Sequence, residues 1–251
     1  MMENRKKLAL VTGASQGLGA CIAHRLAAIG FKVIVNYAHS DVRAEAVAAD
    51  IRAKNGDAIA MKCDISDEVA VVALFAKVEK EFGGVDVLVN NARIDPLSRR
   101  PEETDGMWWD RVLSVGLRGA YLCSNEFTKY AEYHKNGRII NVSSCRAHRP
   151  NELEAIAYST SKLAVHCLTR SYAAALAKYG ITVNTLAPGM IETENMYKRI
   201  GKDGYEAECN NIPLHRAGSC DEIADGVIWA VQNGFMTGET ININGGQSYA
   251  P

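Results

Sequence analysis

Tyr158 and Lys162 carry the strongest chemical signal in the chain, with Ser144 fourteen residues before the tyrosine. Tyr158-Ser-Thr-Ser-Lys162 lies in a run of good helix formers that continues through Ala173-Ala-Ala-Leu-Ala177. Residues four apart share a helix face, so the phenol and the ammonium are expected side by side. A free phenol titrates at about pH 10 and is a poor base at neutrality. A neighbouring cation favours the phenolate and brings such a group into range for proton transfer. Ser144 follows the apolar stretch Arg138-Ile-Ile-Asn-Val142 and is expected at a strand end, where its hydroxyl can meet a substrate carbonyl. A surface tyrosine beside a solvated lysine would show the same spacing, so the pattern needs support from elsewhere.

That support begins at the amino end. Lys7-Leu-Ala-Leu-Val-Thr12 is a short apolar run of the kind that forms a buried parallel strand. Gly13-Ala-Ser15-Gln16-Gly17-Leu18-Gly19 follows, and then a helical pattern through Ile22, Leu26 and Ile29. Strand, glycine turn and helix make a phosphate site, because glycines let the backbone approach a ligand and the helix N-terminus offers free N–H donors. The spacing is G-x-x-x-G-x-G rather than the standard dinucleotide G-x-G-x-x-G.

Taken together, these motifs resemble the short-chain dehydrogenase/reductase family, in its 3-oxoacyl-acyl-carrier-protein-reductase-like branch. Thr12 to Gly19 resembles the family's coenzyme motif, and Asp86-Val-Leu-Val-Asn-Asn91-Ala92 its central-strand motif. Ser144, Tyr158 and Lys162 resemble the catalytic set, and Pro188-Gly189 the turn beside the nicotinamide. The match spans about Lys7 to Gly246. It implies an NAD(P)-dependent oxidoreductase acting on CH–OH and carbonyl groups. Ser144 would orient the carbonyl, Tyr158 would exchange the proton, and Lys162 would bind the nicotinamide ribose. It further places Asp64 at the adenine, and Ile65, Asn91, Ala92, Ile191 and Thr193 among the coenzyme-binding residues.

Composition agrees. With 251 residues, 47% of them hydrophobic, the chain can bury a large core, and no linker or repeat divides it. A net charge of −1 gives no reason to expect nucleic acid or anionic membranes as partners. No apolar run is long enough to span a bilayer, and Met1-Met-Glu-Asn-Arg-Lys-Lys is not followed by a secretory hydrophobic region. The seven scattered cysteines show no metal-like spacing and read as reduced, mostly buried thiols of a cytoplasmic protein.

Strand and helix signals alternate. Strands are expected at Lys7–Thr12, Lys32–Asn36, Ala58–Lys62, Val85–Asn90, Arg138–Val142, Ile181–Leu186 and Glu239–Ile243. Helices are expected at about 41–55, from a Ser66 or Asp67 cap to Phe82, at about 105–134, and through Tyr158 to Tyr179. Repeated βα units imply one α/β, doubly wound Rossmann-type domain: a seven-stranded parallel sheet with helices on both faces. Ligands then bind beyond the carboxyl ends of the strands. Residues 190–212 are expected to form a substrate lid, mixing Glu192, Glu194, Lys198, Arg199 and Lys202.

The second strand ends Asn36-Tyr37-Ala-His39-Ser40, without the carboxylate that usually holds an NAD 2′-hydroxyl. Its absence removes a barrier to a 2′-phosphate, and Arg43 lies one turn on, so NADP(H) is preferred while NAD(H) stays open. Arg93, Arg146 and Arg149, with Arg99, Arg100 and His148, put two basic loops at the sheet's carboxyl edge, and arginine suits carboxylate or phosphate. A small polar substrate with an anionic group is therefore expected: 3-oxoacyl, sugar or another keto compound. Trp108, Trp109, Leu113, Leu117, Leu122 and Phe127 make one helix apolar beyond a single face, which suggests a homotetramer, a dimer of dimers. Gly116 stands where relatives carry a catalytic Asn. That departure leaves open a rival reading, a coenzyme-binding sensor or scaffold with little turnover. The paired Gly116 and Gly119 are also expected to let the helix bend or open there.

Overall fold

The first strand, Leu8–Val11 (β1), is wholly buried, and the rest of the sheet is built around it. In a computed structural model, which describes residues 5–149 and 151–249, seven parallel strands follow the order β3-β2-β1-β4-β5-β6-β7. They are β1, β2 (Lys32–Tyr37), β3 (Asp57–Lys62), β4 (Val87–Asn90), β5 (Arg138–Val142), β6 (Thr182–Pro188) and β7 (Thr240–Ile243). The order reverses at β1, and the gap between the β1 and β4 crossovers opens the crevice expected for a ligand. The fold class expected from sequence is the one observed.

Helices cover both faces. On one side α1 (Gly17–Ala28), α2 (Asp41–Ala53) and α8 (Cys220–Gln232) bury Ile22, Leu26, Ile51, Ile223 and Val227 against alternate residues of the strands. On the other, α3 (Glu68–Phe82), α5 (Ala120–Thr128) and α6 (Ile156–Leu176) bury Leu74, Phe75, Leu122, Phe127 and Leu176. Val33 and Val35 face the first cluster while Ile34 faces the second, the period-two alternation of a strand buried on both faces.

Several boundaries differ from the sequence expectation. The helix expected at 105–134 is α4 (Asp105–Leu113), a π-helical segment at Ser114–Gly119 and α5, followed by turns from Lys129 to His134. The widened turn falls on the two glycines, as expected from their low helix propensity. α6 ends at Leu176 with a 3₁₀ turn to Tyr179, and β6 runs on to Pro188. Asp67, not Ser66, caps α3, its carboxylate accepting from the backbone of Val69 and Ala70. Helix α8 falls outside the elements expected from sequence, although Ser219 and Glu222 form a full capping box at its start. The lid region contains α7 (Glu194–Asn210), broken at Gly201, whose φ of 69° is left-handed. The side chains of Glu194, Lys198 and Arg199 lie outside the described residues. No described helix is long and apolar enough to cross a membrane. All seven cysteines are free, with Cys63, Cys123, Cys145 and Cys209 buried.

Candidate functional site

A cavity of about 1140 Å³ opens along the carboxyl ends of the strands. Gly13, Ser15, Gln16, Gly17, Leu18 and Gly19 line one end, with Asn36, Tyr37, His39, Ser40, Asp64 and Ile65 around them. Asn91, Ala92, Pro188, Gly189, Ile191 and Thr193 line the middle, and Ser144, Tyr158, Arg93, Arg146 and Arg149 the other end. Of the residues expected to face a ligand, Lys162 does not reach the cavity surface, and neither do Arg43, Arg99, Arg100 and His148.

The glycine end fits a pyrophosphate. Gly13 and Gly17 take left-handed φ values of 62° and 55°, which suit glycine. A Cβ on Gly13 would sit 2.9 Å from the Ala92 Cα, and one on Gly19 would sit 2.6 Å from the Gly13 carbonyl oxygen. No side chain caps α1 and no acidic residue sits in its first turn, so its leading N–H groups are left for an anion. Thr12 supports the turn, its hydroxyl accepting from the backbone N–H of Asn91 and Ala92 at 3.0 Å each.

Two residues expected at the coenzyme line the cavity and also have their side-chain amides tied to the scaffold. Asn36 is buried, its amide donating to the carbonyls of Met61 and Cys63 and accepting from Gly13 N–H. Asn91 donates to the carbonyls of Thr12 and Gly13 at 2.9 and 3.2 Å. Their side-chain amides tie neighbouring strand ends together and set the shape of the cleft. Beyond Asn36, Arg43 donates to Gln16 Oε1 and, at 2.7 Å, to Ser40 Oγ. A guanidinium thus spans the glycine turn and the end of β2.

At the catalytic end, Ser144 follows β5 and caps a short 3₁₀ turn, its Oγ accepting from Arg146 N–H at 3.2 Å. Tyr158 lies in the first turn of α6, packed among Trp108, Val112 and Ala157. Lys162, one turn on, is only 2% exposed; its Nζ lies 5.8 Å from the Tyr158 ring centre and donates to the Val142 carbonyl at 2.7 Å. Burial, with the Arg93 cation second, pulls its ammonium from an ordinary 10.5 down to about 7. The lysine sits behind the strand end rather than on the cavity wall, so its expected contact with a ribose is not preformed.

A buried network holds that helix turn in place. Ser143 Oγ donates to the Lys162 carbonyl at 2.8 Å and pairs with His166 Nε2 at 2.7 Å, while His166 Nδ1 meets Thr240 Oγ1 at 2.9 Å. Because the one hydroxyl proton of Ser143 goes to Lys162, His166 must donate through Nε2 and accept at Nδ1. Burial first, and His148 second, push His166 down to about 4, so it remains the neutral imidazole this pattern needs.

The basic loops converge on the cleft, but most of their charge is spent. Arg146 pairs with Glu152 at 2.5 Å, Arg99 with Asp105 at 2.7 Å, and Arg93 with Asp95 at 3.2 Å. Arg93 stays open to the cavity, its guanidinium 5.9 Å from the Tyr158 ring centre. Arg149 forms no ion pair among the described residues, and its buried Nε has no partner. Gly116 is buried in the π-helical segment; a Cβ there would come within 3.1 Å of Ser161 Oγ.

Gln247 is one of the wall residues that the sequence does not signal. It lies 103 positions after Ser144, yet its Oε1 accepts from Met190 N–H at 2.6 Å and from the Cys145 thiol at 3.9 Å. No local spacing signals such a contact.

The short chain dehydrogenase family model matches residues 7–203. The chain is 40% identical over 244 residues to a 3-oxoacyl-[acyl-carrier-protein] reductase FabG of Staphylococcus aureus, covering 96% of this chain and 97% of the relative. Among solved structures, a short-chain dehydrogenase/reductase of Serratia marcescens matches at a TM-score of 0.87 and 34% identity, covering 98% and 99% of the two chains. A short chain dehydrogenase of Burkholderia cenocepacia in complex with NADP matches at 0.86 and 35%, covering 97% and 98%. With the motif residues gathered on one cleft and the family matched over most of its length, this chain belongs to the short-chain dehydrogenase/reductase family, on its FabG-like branch, and is an oxidoreductase of carbonyl and CH–OH groups.

Proposed function

We propose that the protein is an NADP(H)-dependent carbonyl reductase acting on a small polar substrate with an anionic group, such as a 3-oxoacyl or related keto compound. The observation that carries this reading is the joining of a phosphate-fitting glycine turn and the Ser144–Tyr158 pair in one cavity. The coenzyme, when bound, supplies hydride to the carbonyl carbon. Gly13 to Gly19 and the start of α1 hold its pyrophosphate. Arg43, placed by Gln16 and Ser40, supplies the positive charge that a 2′-phosphate needs where relatives of NAD type carry a carboxylate. Ser144 Oγ orients the substrate oxygen and Tyr158 Oη donates the proton to it, a general-acid step worth roughly 10²–10⁴-fold. Lys162 lies one turn beyond the tyrosine, its Nζ 5.8 Å from the ring centre, and has donors beyond the one given to the Val142 carbonyl for a ribose. Arg149, with no ion pair among the described residues, is the cleft arginine with charge to offer the anionic group, and Arg93, shared with Asp95, stands beside it at the cavity wall.

The same reading places two protomers' helices α4 to α6 against each other, in a dimer of dimers. Trp108, Leu122 and Phe127 are buried within the protomer, but Met107, Trp109, Tyr121, Ile156 and Leu163 are left exposed along these helices. Turnover of 3-oxo acids and their esters with NADPH and with NADH, followed by loss of reduced-coenzyme absorbance, tests the proposal. Reduction favouring NADPH supports it. Coenzyme binding without turnover of any carbonyl compound supports the rival sensor reading that Gly116 raises.

A further inference from the structure

The wall between Ser144 and the lid holds a polar group that the proposed chemistry leaves without a task. The Gln247 side-chain amide lines the cavity and is half-buried. Its orientation is set by its partners. Met190 N–H and the Cys145 thiol are both donors, at 2.6 and 3.9 Å, so the atom facing them must be the carbonyl oxygen. The amide nitrogen is therefore turned away from the protein wall. Among the described residues it makes no hydrogen bond, and it is not sealed from solvent. A fixed amide with its donor end free is a preorganised recognition element.

Its surroundings identify what it recognises. Cys145 directly follows Ser144, and Met190 follows the Pro188-Gly189 turn, so the free N–H groups stand near the point where Ser144 and Tyr158 hold a carbonyl. The pyrophosphate cradle lies at the opposite end of the cavity. A neutral donor in this place fits an uncharged acceptor oxygen, whereas the arginines nearby serve charge. We propose that the Gln247 amide donates to a second carbonyl oxygen of the substrate, a short distance along the chain from the reacting one, and so selects 3-oxo esters and thioesters over simple ketones. This rests on the carbonyl-reductase reading and deepens it.

Two substitutions separate the two ends of the amide. Gln247→Glu keeps an oxygen for Met190 N–H but puts an acceptor where the donor stood. Gln247→Ala removes both and also frees the lid root. The substrates are ethyl acetoacetate and 2-heptanone, matched in length and neutral, so that the arginines discriminate against neither. Gln247→Glu should lower kcat/KM for ethyl acetoacetate about tenfold more than for 2-heptanone, the cost of facing an acceptor with an acceptor. Gln247→Ala should lower both, and NADPH affinity should stay within a few-fold in Gln247→Glu. Equal losses on the two ketones overturn the proposal. So does a tenfold loss of NADPH affinity in Gln247→Glu, which would assign the donor to the coenzyme. If the wild-type protein reduces neither these ketones nor any 3-oxo acid, the reductase reading fails on its own count; wherever the two ketones are not turned over, ¹⁵N NMR decides the role of Gln247. Its side-chain amide signal, assigned by its loss in Gln247→Glu, should move with ethyl acetoacetate in the presence of NADP⁺ and not with 2-heptanone; the same response to both overturns the assignment.

Discussion

Replacing Lys162 with methionine tests the electrostatics of the site without any assay of turnover. The lysine is 2% exposed, and burial, then Arg93, takes its ammonium from 10.5 to about 7. At about 1.36 kcal/mol per pH unit between folded and unfolded values, a charged Lys162 costs the native state roughly 5 kcal/mol below neutrality. Between pH 7 and 10.5 the unfolded chain keeps this proton and the native lysine has lost it, so the lysine's penalty fades as pH rises through that window. Methionine fills a similar space without charge but strands the Val142 carbonyl, which accepts from Nζ at 2.7 Å. That loss is about 1–3 kcal/mol. Lys162→Met should therefore be more stable than wild type by about 2–4 kcal/mol near pH 6, with the advantage falling to about zero near pH 9.5. Guanidinium unfolding of coenzyme-free protein, followed by circular dichroism at both pH values, gives the difference. An advantage that does not change between them refutes the reasoning, since it would mean that Lys162 keeps its proton throughout.

Other expectations concern activity and assembly. Tyr158→Phe should keep coenzyme affinity within a few-fold and abolish nearly all turnover; activity above about a tenth of wild type removes the phenol from proton transfer. Gly116→Asn should change kcat by less than about tenfold, roughly 1.4 kcal/mol of barrier, because the π-helical segment already opens the helix there. A gain of several orders of magnitude would mark the natural protein as a crippled catalyst. Arg149→Glu should raise KM for an anionic keto acid by about tenfold more than for its neutral ester, whereas Arg146→Glu should discriminate less because Glu152 already pairs with Arg146. Equal effects of Arg149→Glu on acid and ester reject an anion contact. Light scattering at micromolar concentration should give a tetramer mass, and a monomer mass rules out the proposed interface.

Much of this protein is legible in sequence because its determinants are local. Apolar runs such as Lys7–Thr12 and Arg138–Val142 announce strands, since a parallel sheet covered on both faces needs nearly continuous hydrophobic residues. Gly13 to Gly19 can be read because a tight turn before a helix restricts residue type at adjacent positions. Tyr158 and Lys162 can be read because a helix carries residues four apart onto one face. The weakness at Gly116 and Gly119 is legible too, since helix propensity is a property of the residue and its neighbours.

Tertiary structure decided what depends on distant segments. Whether Lys162 faces the cavity or the Val142 carbonyl is set by how closely α6 packs on β5, which no helical spacing encodes. Arg146 looks like a free cation until the turn after Ser144 brings Glu152 against it. Asn36 and Asn91 look like ligand contacts, and only the meeting of neighbouring strand ends shows their amides spent on the scaffold. Gln247 reaches the cleft because β7 lies beside β6 and delivers the following turn to Met190. A side chain's chemistry belongs to its sequence, but its partners, and hence the charge and donors it has left for a ligand, are fixed only when remote parts of the chain pack together.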